Sequence, residues 1–412
     1  MKPMLLLGLA VALLAGAAPL LSIYGQHIFV LVALYGSVAL AWNILGGMAG
    51  QMSLGHALFV GAGAYISTAL YLKFGVNPWI GLVLAAILGG ALGAAMGYTV
   101  FRRKLSGVYF ALVTLAVAEM ALHIVSNVAV LGGANGLAVP SKPDIANFQF
   151  GSKLGFCYAA LGVLAVVCAV ILAIHRSRLG YVFLAIRENE RSAAALGIDV
   201  VQGKVIAAAI SGALAALVGP VYANYVLFID PESVLGVTLS IDALLFSFVG
   251  GLGSLFGPLL GAVVLVPLTE LLRSLLGGRL AGVHLIVYGV ILILVMRLAP
   301  QGLWGFVAQR YGIADVLAAD MARSINASPF EQVIKRFVCG TAIHSERRIH
   351  EVSESLALLK SLGASTRMTR AIRETLQQIA NMGLREHFGA REPETIAPVL
   401  DAIIDAKRAQ RT

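Results

Sequence analysis

The sequence predicts an all-α membrane protein, with about ten membrane-spanning helices over residues 1–310 and a small helical cytoplasmic tail over residues 311–412. Three observations carry this prediction. Hydrophobic residues make up 59% of the chain and charged residues 12%, where an ordinary soluble domain has roughly 45–50% apolar and about 25% charged residues. Charge is also unevenly spread, because residues 1–310 hold only 9 of the 21 acidic residues and 16 of the 30 lysines and arginines. The first part is built of apolar runs close to the ~20 residues that a helix rising ~1.5 Å per residue needs to cross ~30 Å of hydrocarbon.

Those runs fall near 4–22, 28–46, 53–72, 79–101, 109–131, 155–175, 204–226, 239–254, 257–276 and 283–299. The first follows Lys2 and contains Ala15-Gly16-Ala17, features shared by a cleavable signal, but its length is that of a span. The eighth is short and rich in glycine, which suits a broken or re-entrant helix.

Basic residues set the orientation. With the N-terminus inside, the inner segments carry Lys2, Arg102, Arg103, Lys104, Arg176, Arg178, Arg187, Arg191, Lys204, Arg297 and Arg310, and the outer ones only Lys73, Lys142, Lys153, Arg273 and Arg279. Basic residues resist translocation, so this imbalance supports ten spans with both termini cytoplasmic. The outer loop 132–154 has turn chemistry in Gly132-Gly133, Asn135-Gly136, Pro140 and Pro143. In the inner loop 176–203, Arg187-Glu188-Asn189-Glu190-Arg191 leads into Ala193-Ala194-Ala195-Leu196-Gly197. This predicts a short charged helix closed by a glycine cap, either docking a soluble partner or lying on the membrane surface.

Small residues crowd 43–65, NILGGMAGQMSLGHALFVGAGAY, and 240–262, SIDALLFSFVGGLGSLFGPLLGA. In a bilayer they let helix backbones approach or let a helix break beside a cavity. SLGHALF at 53–59 and SIDALLF at 240–246 share Ser, Leu and Phe at matching offsets and run in opposite directions, as an inverted repeat of five plus five spans would.

Ionisable groups inside spans cost roughly 2.5–3.5 kcal/mol each on insertion scales, so each asks for a reason. Glu119 and His123, one turn apart, share a face with Ser126 and Asn127; this stripe is either a wall of a translocation path or a bonded pair joining two helices. His56, beside Gly55, is either near a path or a packing histidine. Asp242 reads as a helix N-cap, Glu270 and Arg273 as an interfacial ion pair. The run Arg102-Arg103-Lys104 reads as a topology anchor on anionic membrane lipid.

Residues 43–65 resemble the N-terminal signature of branched-chain amino-acid ABC permeases of the LivM type, through Asn43, Gly50, Ser53, Gly55, His56, Phe59, Gly61, Gly63, Ala64 and Tyr65. Arg187 to Val200 resembles that family's cytoplasmic coupling loop, with Glu190, Ala193, Ala194 and Gly197 in an E-x-x-A-A-x-x-G arrangement. Lys204, Ser211-Gly212, the block 250–254, Gly257-Pro258, Gly261-Ala262 and Pro300-Gln301-Gly302-Leu303 extend the resemblance over about residues 28–305.

The resemblance implies the permease subunit of a binding-protein-dependent importer in a bacterial inner membrane, translocating branched-chain or related amino acids. Its partners would be a homologous second permease subunit, two ATP-binding subunits that carry the ATPase activity, and an extracytoplasmic solute-binding protein. Arg187, Glu188, Glu190, Arg191 and Gly197 are then the ATPase-coupling loop. Asn43, Ser53, His56, Tyr65, Glu119 and His123 are candidates for the translocation path, and Gly61, Gly63, Gly250, Gly251 and Gly253 for helix packing.

A rival reading makes Glu119, His123 and Asp242 relay groups of an ion- or proton-coupled secondary transporter of a small solute. The sequence has no H-E-x-x-H or nucleophile motif of an enzyme. Cys157, Cys168 and Cys339 lack metal-ligand spacing, so no metal or cofactor is expected. The net charge of +9 needs no nucleic acid, since basic loops beside a membrane supply it.

The tail departs from the family, whose members end near Arg310. It reads as four or five amphipathic helices, with starts at Ser328-Pro329 and Ser345, a stop at Gly363, and Ile349, Val352, Leu356 and Leu359 at helical spacing. No G-x-x-x-x-G-K-[ST] loop occurs in the chain, so the tail is not a fused ATPase.

Overall fold

The computed structural model describes residues 3–276 apart from 106 and 142–143, positions 289, 290, 293, 297 and 302–305, and, in the tail, 345, 349, 350, 352, 353, 367–389, 393 and 397–409. The expected span near 283–299 and the tail signals at 328–329, 356, 359 and 363 fall wholly or largely outside the described residues. The chain divides into two compact units, Met1–Ala314 and Asp315–Thr412.

Among its described residues, the first unit is all-α apart from one short pair of strands and an isolated bridge between Asp144 and Gln149. Helix α1 (Pro3–Ala17) is shorter than a span and passes into a 3₁₀ turn, Ala18–Leu20, where Pro19 cannot continue the α-helical hydrogen bonds. Helix α2 (Ile23–Asn43) starts on Ser22, whose Oγ accepts from Gly25 N at 3.1 Å. There follow α3 (His56–Phe74), α4 (Pro78–Phe101), α5 (Val108–Asn127) and α6 (Lys153–His175). The loop helices are α7 (Arg178–Glu188) and α8 (Glu190–Ala195), and the last group is α9 (Val200–Val226), α10 (Pro231–Leu235), α11 (Val237–Gly250) and α12 (Gly257–Leu276).

Eight helical segments among the described residues are long and apolar enough to cross a membrane: 23–48, 56–74, 78–101, 108–127, 153–175, 200–226, 231–250 and 257–274. The chain is therefore an all-α, multi-pass membrane protein. The eighth predicted run, 239–254, is one continuous helix as far as Gly250 in α11; the short α10 precedes it across Gly236, and residues 251–256 turn back into α12. The two heptads matched as an inverted repeat differ in conformation, since residues 53–55 are irregular and 240–246 are wholly helical.

Helix α9 is the centre of the bundle, with α3 and α4 packed on one side and α2 connecting it to α6, α11 and α12. The close approach of α3 has a local cause. Pro220 inside α9 has no N–H for the Ala216 carbonyl one turn back, and that carbonyl faces Gly63, where a Cβ would lie 2.2 Å from the oxygen. Gly63→Leu is expected to force α3 off α9, costing about 3 kcal/mol or more by overpacking. The thermal midpoint of the detergent-solubilised chain checks this, and an unchanged midpoint would mean that the two helices do not meet here.

Loop contacts sort the bundle ends. Strands β1 (Leu137–Ala138) and β2 (Phe228–Ile229) pair antiparallel, and Trp79 Nε1 donates to Ile145 O at 3.1 Å, so the loops before α4, α6 and α10 share one face. The opposite face gathers residues 44–55, 176–199 and 251–256. In the tail, α13 (Arg367–Ala380), α14 (Leu384–His387) and α15 (Ala397–Ala409) surround a small core of Leu384, Val399 and Ala402.

Candidate functional site: a polar joint between broken helices and the loop

After Asn43 the α2 backbone widens into a π-helical turn, Ile44–Met48, and residues 49–55 leave helical geometry before α3 begins. Irregular buried backbone is tolerated where other groups satisfy its polar atoms. Side chains from three other elements do so here. Trp42 Nε1 donates to Ser53 O at 2.7 Å, Leu54 N to Thr114 Oγ1 of α5 at 3.0 Å, and Ala57 N to Ser240 Oγ of α11 at 2.8 Å.

His56 closes the same segment. The Ser211 hydroxyl donates to Ala41 O at 2.6 Å, so its oxygen accepts from His56 Nε2–H at 2.8 Å, and the Ser53 hydroxyl, at 3.2 Å, is left to donate to Nδ1. This tautomer leaves the imidazole neutral, with both nitrogens used. His56 and Ser53 are fully buried, and both imidazole nitrogens face serine hydroxyls.

Asn43 links the two glycine-rich regions. Its Oδ1 accepts from Gly253 N and its Nδ2 donates to Ser254 O, both at 2.9 Å. The turn needs Gly253, whose φ of +75° is the left-handed conformation that side chains disfavour. Arg187, at the end of α7, reaches into this joint and donates from Nη1 to Gly47 O at 2.7 Å. Glu190, at the start of α8, accepts from Lys204 Nζ at 2.5 Å and from Gln51 Nε2 at 3.3 Å. The loop is thereby tied to α2, to the 49–55 segment and to α9.

The loop differs from the single helix that the sequence predicts. Asn189 is extended, and its Oδ1 caps α8 by accepting from Ser192 N at 3.0 Å, so Arg187 and Glu188 belong to the preceding helix. The glycine closure is present. Gly197 has φ +84°, and bonds from Gly197 N to Ala194 O and from Ile198 N to Ala193 O form a Schellman motif. Glu188, Arg191 and Leu196 are exposed beside it, Leu196 to 81%.

The remaining candidates lie apart from the joint. Tyr65 is buried between α3, α5 and α10, and its hydroxyl has no partner among the described residues. Glu119 is half-buried and His123 exposed on the outer side of α5, and no hydrogen bond joins them. Gly61 faces Leu235, and Gly250 lies against Gly257 O where α11 meets α12. Gly251 has φ +122° at the end of α11. Asp242 stands in the second turn of α11 behind the cap Gly236, so it is not an N-cap. Glu270 and Arg273 pair at 3.1 Å as expected. Trp42 and Thr114 are not among the residues the sequence points to, although a polar side chain in an apolar run is the available signal; Ser240 enters the sequence reading only through its heptad match.

Apolar spans around a protein-buried irregular segment define the class as a polytopic helical membrane protein. Residues 24–296 match the family described as "Branched-chain amino acid transport system / permease component", and the chain belongs to that family. It is 29% identical over 322 residues to the high-affinity branched-chain amino acid transport system permease protein LivM of Salmonella typhimurium, covering 72% of this chain and 73% of the relative. It is 30% identical over 314 residues to the probable LivM permease of Methanocaldococcus jannaschii, covering 66% and 90%. The corresponding LivH permease of Salmonella typhimurium is 24% identical over 289 residues, covering 66% and 91%. Residues 308–379 match a family described as "Domain of unknown function (DUF1932)". No solved structure matches.

Proposed function

We propose that this chain is a LivM-type permease subunit of a binding-protein-dependent ABC importer that moves branched-chain or related amino acids across a bacterial inner membrane, with both termini cytoplasmic. The observation that carries the reading is the attachment of loop 178–197 to both glycine-rich joints in a chain of this family: Arg187 holds Gly47, and Asn43 holds residues 253–254. A push on such a loop by an ATPase subunit reaches α2, α9 and α11 through short polar contacts. Arg187 and Glu190 then transmit movement, while Glu188, Arg191, Leu196 and the cap at Gly197 present the docking surface.

The other partners follow from this reading: a second permease homologous to this one, as the LivM and LivH names of the relatives suggest, two ATP-binding subunits and an extracytoplasmic solute-binding protein. The path would run along α5. Glu119 lies about 16 Å along that helix, near mid-membrane, and a half-buried carboxyl on the outer side there is costly against lipid. A facing permease subunit with water between removes the cost, and Tyr65 lies one layer behind. Residues 1–310 form the permease and 311–412 an added cytoplasmic domain, a division supported by the compact units and by the second family match beginning at 308.

Energy coupling separates this proposal from a secondary transporter. In proteoliposomes of the full complex with ATP inside and binding protein outside, leucine uptake is expected to stop with vanadate and to survive a protonophore. Uptake that ignores vanadate and collapses with the proton gradient would instead support the relay reading of Glu119, His123 and Asp242.

A further inference from the structure

Beside the joint, a cleft of about 500 Å³ opens between residues 50–51 and the turn from α7 into α8, lined by Gly50, Gln51, Ile186 and residues 187–191. This is within the roughly 300–1,000 Å³ of small-molecule sites. Gln51 is only 3% exposed, and its amide has one sensible orientation. Nε2 donates to Ala49 O and to Glu190 Oε1, each at 3.3 Å, and a flip would set the amide oxygen against those two acceptors. Oε1 is thereby left buried with no donor, a condition that native structures rarely tolerate without a ligand or water.

The same cleft carries both signs of charge. Arg187 is committed to Gly47 O and Glu190 to Lys204, but Glu188 and Arg191 are exposed, and neither forms an ion pair with a described residue. A lone lysine side chain would leave Arg191 unmatched, and a phosphate would confront two carboxylates. We infer that the cleft binds a free α-amino acid as its zwitterion, the ammonium donating to Gln51 Oε1 and Glu188, the carboxylate accepting from Arg191, and Ile186 forming the apolar wall. The inference rests on the proposed function for the side of the membrane that the cleft faces. Imported product would accumulate there, and its binding beside the docking loop would oppose ATPase association.

The full-length chain in nanodiscs, without ATPase subunits, is titrated by calorimetry with L-leucine, L-alanine, leucinamide and N-acetyl-L-leucine. At least one free amino acid is expected to bind at one site, with the amide and the N-acetyl derivative each at least 10-fold weaker than leucine. Arg191→Gln and Glu188→Gln, both at exposed positions, should weaken binding at least 10-fold, and Gln51→Leu likewise. Glu119→Gln should not, which excludes the membrane path as the site. Binding by neither free amino acid, or binding that Arg191→Gln and Glu188→Gln leave unchanged, would overturn the inference. Absence of binding by the unsubstituted chain, together with normal vanadate-sensitive uptake by its complex, overturns the cleft alone. Uptake driven by the proton gradient overturns the importer reading, while retained binding in the same preparation still supports the cleft.

Discussion

Replacing Asn43 by leucine is expected to abolish uptake and to destabilise the permease by about 2–4 kcal/mol. The side chains are close in size, so the change removes the amide chemistry without leaving a large hole. Asn43 is 1% exposed. Its loss strips the partners from Gly253 N and Ser254 O, two part-buried backbone groups at the turn between α11 and α12; a fully buried group left unpaired costs roughly 1–3 kcal/mol, and these two together fall in the range given. The π-helical turn after Asn43 and the turn at residues 251–256 would then move independently. Asn43→Asp keeps the acceptor for Gly253 N and should fall between wild type and leucine. Thermal unfolding in detergent and uptake in proteoliposomes are measured on the same preparations. A leucine variant that melts like wild type but fails to transport would make Asn43 a path-lining residue, and one that does both normally would remove the joint from the mechanism.

How much of this was legible in the sequence depends on the range of the cause. Span positions follow from local apolarity, so the predicted 257–276 run coincides with α12 and the 79–101 and 155–175 runs begin within two residues of α4 and α6. Errors lie where a single polar residue overrides the pattern. The charged run places Asn189 inside a helix, yet a short amide side chain competes for backbone N–H groups and favours cap positions, so that break is readable in the sequence. Asp242 resembles a cap only while the preceding helix, α10, and its exit at Gly236 are overlooked; Pro231 and the Asp230 and Ser233 capping box are the signals for that helix. Asn43, His56 and Arg187 stood out by residue type and position. Their partners did not, because the bonds from Asn43 to Ser254 and from His56 to Ser211 span 211 and 155 residues. Local periodicity carries no information over such separations. Glu119 and His123 are the reverse case: residue type alone marks them in the sequence, and the bundle leaves them on its outer side.

Glu190→Lys is expected to have the other large effect, and the partner of Glu190 explains why a loop charge matters for stability. Lys204 is 4% exposed in its side chain and Glu190 40%, and the lysine Nζ also lies 5.1 Å from the centre of the Phe101 ring. Removing one partner of a buried pair leaves the other charge without compensation. An exposed pair is worth about 1 kcal/mol or less, so a half-buried one should cost roughly 2–4 kcal/mol when broken. The substituted lysine adds repulsion and frees the start of α8 from α9, so a lower melting temperature, poor recovery of the ATPase subunits and loss of uptake are expected together. The charge swap Glu190→Lys with Lys204→Glu separates the causes. It restores an attractive pair between α8 and α9 and should recover most of the stability, whereas an ATPase surface that reads the carboxylate would still be refused. Recovery of stability without subunit association assigns Glu190 a direct contact with the partner. Recovery of both assigns it only the internal role of holding the loop. If the single variant melts, assembles and transports as the wild type does, the pair with Lys204 does not hold the loop, and the proposed route from loop to spans through Glu190 is lost.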